Sequence, residues 1–181
     1  MSVTVRSAAS SDAALLHSLA AATFGLACPP GTPQSAIDDF VAQQLSEARF
    51  AEYLADAHRT LLIAEADGLP VGYTMLVFPG SPGADPTDQD VASAVRTRPT
   101  AELSKVYVLA GQHGRGVAAE LMAASVDAVR ARGFASVWLG VNQRNPRANR
   151  FYEKSGFGIV GTKKFLVGGK WEDDYVRERI L

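Results

Sequence analysis

Three glycines crowd one short stretch, Gly111-Gln-His-Gly114-Arg-Gly116-Val-Ala118, directly after an apolar run and directly before a helical one. A helix N-terminus leaves backbone N–H groups without intrahelical partners and carries about half a positive charge, and glycine lets an anion come close to those donors. The chemistry that suits this placement is the cradling of a phosphate or pyrophosphate. The plainer use is a strand-to-helix turn in which glycine only bends the chain. Spacing disfavours two familiar phosphate loops: a Walker loop ends in Gly-Lys-Ser/Thr, whereas Val117 and Ala118 follow Gly116, and the dinucleotide fingerprint Gly-x-Gly-x-x-Gly is here Gly-x-x-Gly-x-Gly.

A second constellation runs from Leu139 to Phe157. Asn145 before Pro146 has the form of an N-cap followed by proline at the first helical position, and Gly156 stands where a left-handed C-cap belongs. Tyr152 follows Asn145 by close to two helical turns, which sets both on nearly one face with Ala148 between them. By residue type alone Tyr152 is a core tyrosine whose hydroxyl finds a partner. Arg144, Arg147, Arg150 and Lys154 read as a solvated basic face, and Arg115, inside the glycine loop, is the better phosphate contact. His17, His58 and His113 are too scattered to suggest a metal site, and Cys28 reads as an inert small residue.

The elements that must hold these residues follow from periodicity. Val3 to Arg6 reads as a strand, after which Ser10-Ser11-Asp12 offers capping oxygens to a helix bearing Leu15, Leu16 and Leu19. Beyond the break Cys28-Pro-Pro-Gly-Thr-Pro33, Ile37 to Leu54 recurs at helical spacing as a bent or split segment. Thr60 to Ala66 and Val71 to Phe78 form a hairpin about Asp67-Gly68-Leu69-Pro70. Pro79 to Pro99 lacks an apolar period and reads as a long loop. Strand, helix, strand and helix then alternate over Leu103–Leu109, Gly116–Arg132, Ser136–Val141 and Pro146–Ser155, and Phe157–Val167 with Trp171–Ile180 close a hairpin about Gly168-Gly169. The helix after the glycine loop reads as apolar nearly all round, hence buried.

Composition bounds the rest. The chain has 181 residues, 47% hydrophobic and 20% charged, which suits one domain, residues 1–181, burying about 70% of its unfolded surface. Eighteen basic against nineteen acidic residues leave a formal charge of −1, so bulk electrostatics favour neither nucleic acid nor an anionic membrane. With Cys28 alone there is no disulfide framework or multi-thiolate zinc site. The opening residues alternate like a strand and lack the regions of a secretory signal, and no apolar run approaches the roughly 20 residues that cross a bilayer. A cytoplasmic setting is expected.

Taken together, these pieces resemble the GCN5-related N-acetyltransferase (GNAT) family. His113-Gly-Arg-Gly116-Val-Ala118 matches the family's Arg/Gln-x-x-Gly-x-Gly/Ala signature, and the Asn145…Phe151-Tyr152…Gly156-Phe157 block follows at the expected distance. One departure is His113 at the first signature position, with Gln112 displaced one residue earlier. The resemblance implies an α/β (α+β) fold: a mixed, mostly antiparallel sheet splayed between its fourth and fifth strands and flanked by helices. It implies acetyl-CoA as acyl donor, its pyrophosphate on the amides of Gln112, His113, Gly114, Arg115, Gly116, Val117 and Ala118, and its pantetheine arm along the strand edge at Val106, Tyr107 and Val108, with Asn145, Ala148 and Tyr152 beside it. It also implies Glu102 as the base and Tyr152 as the acid that protonates the departing thiolate; the alternative base position of the next strand is Gly140, which cannot serve. Backbone N–H groups near Val106 to Val108 would stabilise an oxyanion.

The segments around Thr23-Phe24, Glu102 to Leu109 and Phe165 to Gly169 look most similar to the branch that acetylates polyamines and other small amines. Asp38, Asp39, Asp85, Asp88, Asp90 and Glu172-Asp173-Asp174 would then give a cation-attracting rim. A protein N-terminus or lysine as acceptor, and a non-catalytic CoA-binding regulatory module, stand as alternatives. The expected partner is a small-molecule amine, with no nucleic acid, no membrane and no metal, and a homodimer is left open.

Overall fold

A computed structural model describes residues 2–81 and 89–181. In chain order the elements are β1 (Val3–Ser7), a 3-10 turn (Ser10–Asp12), α1 (Ala13–Ala27), α2 (Gln34–Gln44), α3 (Glu47–Ala55), β2 (Arg59–Ala66), β3 (Leu69–Val77), α4 (Gln89–Ala94), β4 (Thr100–Val108), α5 (Val117–Ala131), β5 (Ser136–Asn142), α6 (Pro146–Lys154), β6 (Gly158–Val167) and β7 (Lys170–Ile180). The strands form one sheet in the order β1-β2-β3-β4-β5-β7-β6. Every neighbouring pair is antiparallel except β4 and β5. Only that pair is joined through a crossover helix, α5, the connection that parallel neighbours require.

Local chemistry accounts for the joints. Asp67 and Gly68 both adopt positive φ, 50° and 82°, the conformation that matches the twist of a two-residue hairpin turn. The Ile37 to Leu54 segment is split at Leu45-Ser46, where the Ser46 hydroxyl accepts the Arg49 amide at 3.2 Å and restarts the chain as α3. Asp12 does not cap α1 with its side chain; its carboxylate accepts the Ala9 amide and pairs with Arg6, tying β1 to the helix start.

Two expectations are corrected. The helix after the glycine loop is not buried all round: α5 buries one stripe, including Leu121, Met122, Val126 and Val129, and its other face is held by small or charged residues such as Ala119, Ala123 and Asp127. Nor is the stretch to Pro99 wholly loop, because α4 lies within it and seats Val91, with Val95 just beyond, against Trp138 and Val176. One buried valine on so short a helix, and a second just past its end, leave no period to detect. Residues 82–88, with the expected rim residues Asp85 and Asp88, lie outside the described residues.

The sheet is packed on both faces. One face carries α1 and α3, with Leu16, Phe24, Phe50, Tyr73 and Met75 in a common cluster, and the other carries α5, with Leu103, Met122, Val126 and Leu139. Phe50 is fully buried and meets Tyr53 and Tyr73 edge-on. Replacing Phe50 with Ala is expected to cost about 3–5 kcal/mol, read as a lower urea midpoint at unchanged slope.

Candidate active site

The site begins where the sheet comes apart. β4 and β5 pair only over Thr100–Glu102 against Ser136–Trp138, yet both strands run on, to Val108 and Asn142. The opening between them is part of a cleft of about 600 Å³, lined also by the end of α1, the loop before α5, α6 and the hairpin of β6 and β7. Because the Leu109 amide bonds Val71 O across to β3, the alternation of an antiparallel ladder turns the Val106 and Val108 backbone groups toward the unpaired side. The splay therefore leaves a strand edge facing the cleft.

At one end lies the glycine loop. Gly114 and Gly116 hold φ of 78° and 85°, a Cβ at either would meet open space, and Gly116 stands at the N-cap of α5. The first amide to close the helix is that of Glu120, on Gly116 O at 3.0 Å, so the amides of Val117, Ala118 and Ala119 begin it without intrahelical partners. Not every amide in the run from Gln112 to Ala118 is free. The Gln112, His113 and Arg115 amides make turn bonds to Leu109, Ala110 and Gln112 carbonyls, so the amides without such a bond are those of Gly114, Gly116, Val117, Ala118 and Ala119. The His113 ring, at the departing signature position, bonds Val108 O at 2.8 Å and ties the loop to the end of β4.

These residues fit a CoA pyrophosphate: a left-handed glycine pair, open space above it, and a helix N-terminus aimed there. Gly116→Ala is expected to lose about 1 kcal/mol of stability from the positive φ and to raise KM for acetyl-CoA, checked by thermal unfolding and by saturation kinetics.

The reacting end depends on a bulge. Met75 pairs with Lys105 but Leu76 with Leu103, so β4 carries Ser104 as an extra residue and its alternation resets there. Glu102, Lys105 and Tyr107 consequently oppose Val77, Met75 and Tyr73 on the face of α1 and α3, whereas Leu103 and Val106 oppose Leu76 and Thr74 on the face of α5. Glu102 and Lys105, three apart, thus share a face and a cleft. Burial raises the Glu102 carboxyl above its ordinary value, and the charges of Lys105, Lys163 and Arg59 act against that rise. Burial likewise pulls the Lys105 ammonium down to about 8, opposed by the charge of Glu102. Lys105 is the residue that sequence reasoning missed, since nothing in Glu-Leu-Ser-Lys announces a bulge.

Tyr152 lines the same cleft, packed against Phe151 and Phe157, with its phenol pushed up to about 12 by burial. Asn145 and Ala148 also line it, but the Asn145 side chain is engaged as the N-cap of α6, accepting the Ala148 amide at 3.0 Å. Of the four basic residues around α6, Arg147 lines the cleft and Arg144 instead pairs with Glu172 at 3.9 Å. Arg115 lies against the Gln112 side chain and outside the lining.

Among the expected acidic rim, Glu172 and Asp174 reach the cleft, Asp173 pairs with Lys164 on the outer face, and Asp38, Asp39 and Asp90 are exposed elsewhere. Cys28 lines the cleft with its thiol pushed up by burial, which keeps it protonated. No helix among the described residues is long and apolar enough to cross a membrane, and no group of His, Cys, Asp and Glu among them could hold a metal ion.

Residues 27–157 match the model of the acetyltransferase (GNAT) family. An uncharacterized N-acetyltransferase of Mycobacterium bovis is 47% identical over 170 residues, 94% of this chain and 98% of that protein. Among solved structures, the PaiA N-acetyltransferase of Thermoplasma acidophilum in complex with coenzyme A superposes with a TM-score of 0.78 at 17% identity, covering 100% of both chains. A GCN5-related N-acetyltransferase of Rhodopseudomonas palustris superposes with a TM-score of 0.74 at 19% identity, over 100% of this chain and 97% of that one.

Proposed function

The chain belongs to the GNAT family and is an acetyl-CoA-dependent N-acetyltransferase; on that premise we propose that it acetylates a small primary amine, polyamines favoured, by direct attack, with Glu102 as base and Tyr152 as general acid. Acetyl-CoA, when bound, supplies the acyl thioester. The amides of Gly114 and Gly116–Ala119 would hold its pyrophosphate, with the Val106 and Val108 edge along its arm.

An alkylammonium has a pKa near 10 and must lose a proton before it can attack. Glu102, directly or through a water, takes that proton; its raised carboxyl makes it a stronger base than an exposed glutamate, while the charge of Lys105 opposes that rise. The Val106 and Val108 amides on the open edge offer donors to a developing oxyanion. Tyr152, protonated throughout the neutral range, gives its proton to the departing sulfur. Phe24, Phe40 and Phe165 with Glu172 and Asp174 line the side toward α1 and α2, a surface of rings and carboxylates that suits a cationic chain.

The observation that carries this reading is that Glu102 and Tyr152 line one cleft at the opening between β4 and β5. It is tested by acetyl-CoA-dependent thiol release against a panel holding spermidine, other primary amines and a lysine peptide, with products identified by mass. An acetylated amine and stoichiometric thiol support it. Acetylation of the peptide alone moves the acceptor to protein, and silence from a protein that binds acetyl-CoA points to a regulatory module.

A further inference from the structure

Lys163 and Asp174 face each other across β6 and β7, their Nζ and Oδ2 atoms 3.6 Å apart. Cross-strand pairs of opposite charge are ordinary in hairpins, but this one is not on the solvent face. The two side chains keep 17% and 8% of their exposure, and both line the cleft. The lysine stem lies over Gly140, on the strand that forms one lip of the opening, where an added Cβ would run into its Cε. Its ammonium sits 5.3 Å from the centre of the Phe165 ring, which meets Phe40 edge-on, and Phe40 in turn stacks on Phe24 at 4.3 Å. The other carboxylate oxygen, Asp174 Oδ1, is buried with no partner among the described residues. An alkylammonium between an aromatic face and a carboxylate with a spare acceptor is the arrangement by which a protein holds a cationic amine. Here the chain supplies that amine itself.

We propose that Asp174 and the wall of Phe165, Phe40 and Phe24 form a subsite for a second ammonium of the acceptor, distinct from the amine that reacts, and that in the free protein Lys163 fills this subsite as a tethered stand-in. The proposal rests on the small-amine reading above and narrows it to acceptors with two cationic nitrogens. Exchange of one ammonium for another leaves the charge of the subsite unchanged, so a diamine displaces Lys163 by swinging aside a flexible four-carbon stem. A monoamine has no group to put in its place, and an acceptor with a distal carboxylate would seek Lys163 rather than Asp174.

The test is calorimetric binding of putrescine, butylamine and γ-aminobutyrate to the CoA-loaded protein, in the wild type, Lys163→Met and Asp174→Asn, with thiol release from acetyl-CoA recorded for the same preparations and folding checked by melting. Putrescine should bind the wild type about tenfold more tightly than butylamine, the scale of one charge-assisted hydrogen bond. Lys163→Met should tighten putrescine by a further factor of about ten and leave butylamine unchanged, and Asp174→Asn should erase the preference for putrescine. The proposal is overturned if Lys163→Met leaves putrescine binding the same or weaker, if putrescine gains nothing over butylamine in either protein, or if γ-aminobutyrate binds best and loses its affinity with Lys163. Should Asp174→Asn fail to fold, the Lys163→Met comparison decides alone. Putrescine binding that follows the expected pattern without thiol release would sink the transfer reading and leave the subsite standing; release with butylamine but no putrescine preference would do the reverse.

Discussion

Replacing Tyr152 with phenylalanine is expected to lower kcat by about 10²–10⁴, the range over which a positioned acid or base contributes, with little change in KM for acetyl-CoA. The substitution removes one hydroxyl and keeps the ring that packs on Phe151 and Phe157, so the loss is chemical. The sign of the pH dependence follows from the phenol's value of about 12. A group raised above its ordinary value holds its proton to higher pH, so Tyr152 imposes no loss of rate on the alkaline side until far above neutrality. A mutant within about twofold of wild type in kcat would remove Tyr152 from the chemistry and return it to the core.

Glu102→Gln is expected to lower turnover over a similar range of about 10²–10⁴ and to abolish the acidic limb of the pH profile. Glu102 must be ionised to accept a proton, and burial raises its carboxyl; the wild-type rate therefore falls, as pH drops, at higher pH than an exposed glutamate would dictate. Lys105→Met separates this role from simple charge. The lysine's charge works to lower the Glu102 carboxyl, so its removal moves the acidic limb to higher pH while leaving the base in place. Profiles of kcat/KM for the three proteins check both statements. An acidic limb that persists in Glu102→Gln, or that moves to lower pH in Lys105→Met, would assign the base elsewhere.

The hairpins and the β-α-β-α alternation from β4 to α6 were legible because their signals are local: an Asp-Gly turn between β-rich runs, a glycine stop, an Asn-Pro helix start. Where the reading failed, the cause was distance or brevity. The helix α4 has too few apolar anchors to show a period, and its place is set by Trp138 and Val176, more than forty residues on. The buried face of α5 is narrower than residue type implies because Ala119 and Ala123 are apolar yet small enough to stand in water at little cost.

By itself the sequence determined the order of elements, the glycine turn that must open a helix, and the Asn145-Pro146 start and Gly156 stop of the helix that bears Tyr152, because each depends on backbone preferences expressed within a few residues. The tertiary structure decided what faces what. The bulge at Ser104 puts Lys105 on the same face as Glu102, turn hydrogen bonds engage three amides of the glycine loop, and the Lys163–Asp174 pair lies inside the cleft instead of on the surface. A strand's side chains alternate between two faces, and one extra residue reverses every assignment beyond it. That reversal is settled by pairing with a partner strand, so no single stretch of sequence contains it.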